Sequence, residues 1–132
     1  MKKIFFLLSI LIFTNCDQLV KNPNQNKNAI VIITTKVKEG MMSDLVKFMD
    51  SENVLPVTRK FKGCKSVVQF VNKENNIHVL LEEWDTAESH QKYVNYRMNE
   101  DESGAAQKHL TFAEGGAEGL TIIGNNTNYI YY

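Results

Sequence analysis

Three residues of the chain stand at a spacing suited to proton chemistry. His90, Tyr93 and Arg97 follow one another at intervals of three and four, which places them on one side of a helix. With Ala87 at zero on a helical wheel, Val94 and Met98 fall within about 20° of it and mark the expected core stripe, while the three polar residues fall roughly 60° to 120° to one side. Polar groups on such a border are where a pocket between helix and sheet would find them. His90 is the natural base, because its ordinary pKa lies near neutrality. Tyr93 and Arg97 are the donors that could steady a developing oxyanion. Each also has a plainer role: His90 as a half-buried edge residue, Arg97 as a last-turn cation paired with Asp101, and Tyr93 as a packing residue with its hydroxyl at the surface. His78 lies on the same strand face as Leu80, Glu82 and Trp84 and is a further candidate, as is His109.

Other chemistries find little support. Glu82 and Glu83 are neighbours on a strand and point to opposite faces, so they cannot form the facing carboxylate pair of a glycosidase. The three histidines have no local ligand spacing and no cysteine usefully accompanies them, which leaves only weak support for a zinc site. There is no glycine-rich phosphate loop and no Gly-x-Ser-x-Gly elbow. Cys64 follows Gly63 into a strand and reads as a small core residue.

The elements that must position these side chains follow from periodicity. Ala29 to Val37 (AIVIITTKV) is β-branched and reads as a strand. After Gly40, Met42, Leu45, Val46 and Met49 recur at helical spacing, with Pro56 expected to end or kink that helix. Cys64 to Val71 and Ile77 to Trp84 read as strands around the turn Asn72 to Asn76. Asp85 looks like an N-cap, with Glu88 completing a capping box for a helix from Thr86 to about Asn99. Ala105 to Ala113 reads as a short helix cut off by Gly115-Gly116, and Leu120 to Ile123 and Tyr129 to Tyr132 read as strands. The order strand–helix–strand–strand–helix–strand is the split βαβ arrangement, giving an α+β, ferredoxin-like βαββαβ fold.

Two helices can cover only one face of a four-stranded sheet. Yet Ile30 and Ile32 alternate with Val31 and Ile33, Val68 and Phe70 oppose Val67 and Val71, and Val79 and Leu81 oppose Leu80 and Trp84. Both faces are apolar, and an exposed one would leave several hundred Å² of greasy surface. A second copy packed sheet to sheet is the expected cover, so the sequence predicts a homodimer.

Of the 132 residues, the first 28 stand apart. Lys2 and Lys3 precede an apolar run from Ile4 to Phe13, which as a helix would span roughly 15 Å, half of a ~30 Å hydrocarbon layer. Residues 1–15 therefore read as a secretion signal rather than a membrane crossing. The run Phe13-Thr14-Asn15-Cys16 resembles the lipobox of bacterial lipoproteins, although Phe13 and Asn15 stand where that motif usually has Leu and a small residue. The resemblance implies a lipidated Cys16, a polar tether over 16–28 and an exported protein anchored to a membrane of the cell envelope; an ordinary cleaved signal is the alternative. Residues 29–132 then form one domain. Lysine plus arginine and aspartate plus glutamate number 15 each. Removing the leader with its two lysines leaves a slight acidic excess, which argues against a nucleic-acid partner. Only Cys64 then remains in the domain, so there is no internal disulfide framework.

Leu55-Pro56-Val57-Thr58-Arg59, Gly63-Cys64, Glu82-Glu83-Trp84-Asp85 and His90-Gln91-Lys92-Tyr93, spread over four elements in order, resemble the antibiotic biosynthesis monooxygenase (ABM) domain, which includes quinol monooxygenases. The similarity runs from Ala29 to about Met98. It implies a dimeric α+β barrel that oxidises a small quinol or phenol with O2, without metal or flavin cofactor. In that setting His90, Tyr93 and Arg97 would be catalytic, and Trp84, His78 and His109 would bind the substrate, Trp84 as an aromatic wall. Haem-degrading relatives use an Asn, a Trp and a His at positions that here carry Ile33, Tyr93 and Gln107, with His109 two residues away. The alternative to an enzyme is a non-catalytic barrel lipoprotein that binds a small apolar ligand or mediates assembly.

Overall fold

The computed structural model describes residues 28–124. The leader, Cys16, the tether and the expected strand Tyr129 to Tyr132 lie outside the described residues. Strand β1 (Ala29–Lys36) is followed by α1 (Met42–Met49), α2 (Leu55–Lys60), β2 (Cys64–Asn72), β3 (Ile77–Trp84), α3 (Ala87–Asn99) and α4 (Ala105–Phe112), and a 3-10 turn, Gly116–Gly119, leads into β4 (Leu120–Ile123). The sheet order is β2-β3-β1-β4, and every pairing is antiparallel. This is the α+β ferredoxin-like arrangement that the order of elements predicts. Among the described residues no helix is long and apolar enough to cross a membrane.

Register sorts the strand side chains. Val31, Thr35, Leu80, Trp84 and Val67 are buried beneath the helices. The opposite face carries Ile30, Ile32, Val79, Leu81, Val68 and Phe70, and among the described residues no element packs over it: Val68 is 43% and Phe70 54% exposed. The two-faced apolarity read from the sequence is thus present on the sheet.

Two local expectations are corrected. Pro56 neither ends nor kinks α1, which stops at Asp50; it sits in the first turn of the separate helix α2, where its missing N–H has no intrahelical partner to lose. Asp85 does not cap α3. Its N–H still extends the sheet ladder, donating to the Gly63 carbonyl at 2.8 Å, so the cap falls one residue later. Thr86 accepts from the Ser89 N–H at 3.1 Å, and Glu88 turns outward to an exposed pair with Lys92. Gly63 meets this turn closely. At φ +97° a Cβ on it would lie 2.4 Å from the Ser89 Cβ, so only glycine lets β2 start beside the first turn of α3.

The largest departure is the rotation of α3. The expected core stripe is split: Ala87 is exposed and Met98 is 57% exposed, while Val94 stays half-buried. The inward side is the strip of His90, Tyr93 and Arg97, and Arg97 is 6% exposed. Tyr93 packs on Trp84 with ring centroids 5.0 Å apart and on Phe61 at 5.3 Å, so an aromatic cluster rather than the aliphatic stripe sets the helix face.

Candidate functional site

A cavity of about 300 Å³ lies between the helix side of the sheet and helices α3 and α4. Ile33, Leu80 and Leu120 form its sheet wall, Val94 and Leu110 face them, and Met98 and Ile122, each 57% exposed, are also part of its lining. Its polar and titratable lining comprises Thr58, Glu82, His90, Tyr93, Arg97, Gln107 and His109. A second depression, about 530 Å³ and open, lies on the solvent side of α3 against Phe61 and Tyr96 and contains none of the candidate residues.

Four of the six candidates meet at the cavity: His90, Tyr93, Arg97 and His109. His78 and Trp84 do not line it. Trp84 is fully buried behind the wall, packed by Phe61, Tyr93 and His90. His78 is equally buried near the start of β3, where its Nε2 lies 3.0 Å from Gln69 Oε1 and its ring meets that of His109 edge-on at 6.4 Å. Alternation placed both residues on the correct face, but neighbouring rings and α4 stand between them and the open space.

The pair expected to steady an oxyanion is engaged within the chain. A guanidinium has five N–H donors. On Arg97, Nε donates to Tyr93 Oη at 2.9 Å, Nη1 to the Asn53 carbonyl at 2.8 Å and Asp101 Oδ2 at 2.6 Å, and Nη2 to the Val54 carbonyl at 2.7 Å and Thr58 Oγ1 at 3.4 Å. Thr58 spends its hydroxyl proton on the Val54 carbonyl at 3.1 Å, so the 2.7 Å bond between Thr58 and Tyr93 has Tyr93 as donor. Burial pushes the Tyr93 phenol above its ordinary pKa, against the pull of Thr58 and Arg97, and keeps it protonated. These two residues fasten α3 to the loop before α2 and position the cavity wall.

His90 and Glu82 form a second titratable pair of the lining. His90 is half-buried on the Trp84 ring, and burial lowers its pKa, keeping it neutral and able to accept a proton at pH 7. Its Nε2 lies 3.8 Å from Glu82 Oε2. Glu82 is almost fully buried on β3 between Leu80 and Trp84, and Oε2 accepts from Trp84 Nε1 at 2.9 Å. Burial raises its pKa, with the Trp84 hydrogen bond and the Arg97 charge opposing. Glu82 was missed from sequence, although the signal was present: a carboxylate at a helix-facing position of an otherwise apolar strand. His109 Nε2 lies 2.9 Å from Thr35 Oγ1, and burial beside His78 pushes its pKa down to about 4. Among the described residues no group of three or more His, Cys, Asp or Glu side chains could hold a metal ion.

No protein-family model matches the sequence, nor does any curated protein. Solved structures do match. A conserved protein from Methanosarcina mazei superposes with a TM-score of 0.62 at 16% identity, over 77% of this chain and 94% of its own. A crystal structure of an antibiotic biosynthesis monooxygenase gives 0.59 at 15% identity, over 75% and 97%. A dimeric ferredoxin-like protein of unknown function from Jannaschia gives 0.59 at 10% identity, over 76% and 100%. The three positions aligned with the functional residues of haem-degrading relatives, Ile33, Tyr93 and Gln107, all line the cavity, but none carries the side chain that chemistry uses. The chain therefore has the fold of ABM-type, dimeric ferredoxin-like α+β proteins, with its cavity between sheet and helices.

Proposed function

We propose that the cavity binds a small phenol or hydroquinone and that the protein oxidises it with O2 as an ABM-type monooxygenase without cofactor. The observation that carries this reading is an apolar cavity of about 300 Å³ whose lining includes two titratable groups in register, His90 and Glu82, 3.8 Å apart. Such a volume lies at the small end of ligand pockets and suits one or two aromatic rings. His90 takes the phenolic proton, and the electron-rich phenolate reacts with O2. One oxygen atom forms a ring C–O bond as the ring C–H bond breaks, and the other leaves as water. The ring supplies the electrons and ends as a quinone. Arg97 and Tyr93 position the helix that carries His90.

Oxygen uptake by the metal-free protein with a panel of hydroquinones tests this. His90→Ala is expected to lower the rate by about 100-fold or more, the usual weight of a positioned base. Uptake unchanged in that variant removes the mechanism, and no uptake with any hydroquinone removes the activity. The engagement of all Arg97 donors within the chain favours a second reading, a non-catalytic barrel that holds a small apolar ligand; it predicts binding without oxygen uptake.

We also propose that the bare sheet face joins two copies, supported by its apolar side chains and by the dimeric ferredoxin-like neighbour. Phe70→Glu is expected to convert a dimer to a monomer in sedimentation, because a carboxylate would be buried unpaired at the interface. A wild-type chain that sediments as a monomer overturns the proposal. The leader supports export and anchoring through a lipid on Cys16, which extraction from membranes only by detergent would test.

A further inference from the structure

We propose, resting on the reading of the cavity as the seat of a small aromatic molecule, that Glu82 Oε1 anchors a ligand hydroxyl, so that the site takes neutral aromatic molecules with a free hydroxyl and rejects those bearing a carboxylate or phosphate. The two oxygens of this carboxyl are not equivalent. Oε2 accepts from Trp84 Nε1 at 2.9 Å and is the oxygen that faces His90. Oε1 makes no hydrogen bond to the described residues. The indole that fixes Oε2 is itself held firmly, its ring 5.0 Å from Tyr93, 5.4 Å from His90 and 6.3 Å from Phe61, so the orientation of the carboxyl is set before any ligand arrives. In its ionised form the carboxyl accepts and cannot donate, and of its neighbours on the cavity wall His90 faces Oε2, while Ile33 and Leu80 are apolar and leave Oε1 to a ligand. A hydroxyl donor is the group that pairs with it, and in low-dielectric surroundings such a pairing is strong.

The same geometry excludes anions. Among the described residues Arg97 is the one Lys or Arg of the cavity lining, and its donors are spent on Tyr93, Asn53, Val54, Thr58 and Asp101. An entering carboxylate would meet a buried carboxylate with no free guanidinium to offset it, which costs more than a missing contact.

Trp84 is the single tryptophan, so its indole N–H gives one isolated amide-type NMR signal that reports on the atom next to Glu82. The full chain is titrated with hydroquinone, 1,4-dimethoxybenzene and 4-hydroxybenzoate. Hydroquinone is expected to shift the signal and to bind at least about tenfold more tightly than the dimethyl ether, the discrimination typical of a hydrogen bond to a charged acceptor. 4-Hydroxybenzoate is expected to leave the signal in place at concentrations that saturate with hydroquinone. In Glu82→Gln the amide oxygen must stay on the indole N–H and turn its NH2 toward the cavity, exchanging acceptor for donor. The preference for hydroquinone over the ether is then expected to fall to within about twofold. Equal binding of ether and hydroquinone by the wild-type chain, an undiminished preference in Glu82→Gln, binding of 4-hydroxybenzoate, or no shift with hydroquinone each overturns the inference. The wild-type comparison needs no variant to fold. Oxygen uptake does not enter the readout, so the preference can hold while the oxidation fails, and uptake can occur while the preference is absent.

Discussion

Replacing Arg97 by leucine is expected to destabilise the domain by about 3–5 kcal/mol, the cost of breaking a buried charge pair from one side. The Arg97 side chain is 7% exposed, and that of Asp101, its partner at 2.6 Å, only 5%. Leucine would strand that carboxylate, remove a donor from Tyr93 Oη, and take hydrogen bonds from the Asn53 and Val54 carbonyls. Small domains have about 5–15 kcal/mol in total, so much of the stability would go. Lysine retains the charge, but three donors on one nitrogen cannot reproduce a planar five-donor fork, and most of the loss is expected to remain. The midpoint of urea unfolding measures this. Lys92→Ala, which breaks the exposed pair with Glu88, serves as control and is expected to leave the midpoint unchanged. If Arg97→Leu behaves like the control, this network does not hold α3 in place.

Acidification is expected to have an effect of similar size, through His78 and His109. Burial pushes the pKa of His78 down to about 4, and burial together with the neighbouring His78 does the same to His109. Gln69 donates its amide to Asp50 and so presents its oxygen to His78, which makes Nε2 the protonated nitrogen and leaves Nδ1 buried as a bare acceptor. In the unfolded chain both rings titrate near 6.5. Between those values the unfolded state binds more protons, so stability is complete above about pH 6.5 and falls as pH drops toward 4. Each histidine contributes about 1.4 kcal/mol per pH unit, on the order of 3 kcal/mol by pH 4. His90, also lowered by burial, adds in the same direction. Glu82, raised by burial, acts in the opposite direction as a single group. Urea unfolding at pH 7, 5.5 and 4.5 reads the slope, and the double variant His78→Gln, His109→Gln is expected to flatten it. A wild-type stability that stays level across this range would show that the two rings take up protons in the folded chain as readily as in the unfolded one.

Much of the candidate site was legible in the sequence, though for a different reason than the one read there. The spacing of His90, Tyr93 and Arg97 assigned them to one strip of a helix, and the structure brings that strip to the cavity. The strip was taken for the border of the apolar face, and it instead carries most of the inward contacts of α3, with Val94 beside it on the cavity wall. A wheel ranks residues by hydropathy and cannot register that Arg97 finds carbonyls at Asn53 and Val54, more than forty positions earlier, or that Tyr93 finds the Trp84 ring. Glu82 was passed over because a strand pattern gives the face a residue occupies and not what stands opposite it.

By itself the sequence determined the strands β1 to β4 and the helices α1, α3 and α4, their order, and the apolarity of both sheet faces, but not the separate helix α2. Those features depend on side-chain periods of 2 and 3.6 that neighbouring residues carry among themselves. Only the tertiary structure decided the rotation of α3, the cap at Thr86 rather than Asp85, the separation of His78 and Trp84 from the cavity, and the one-sided tether of the Glu82 carboxyl. Each of these depends on where a polar group finds its partner, and the partners come from distant parts of the chain that meet only when the sheet has closed beneath the helices.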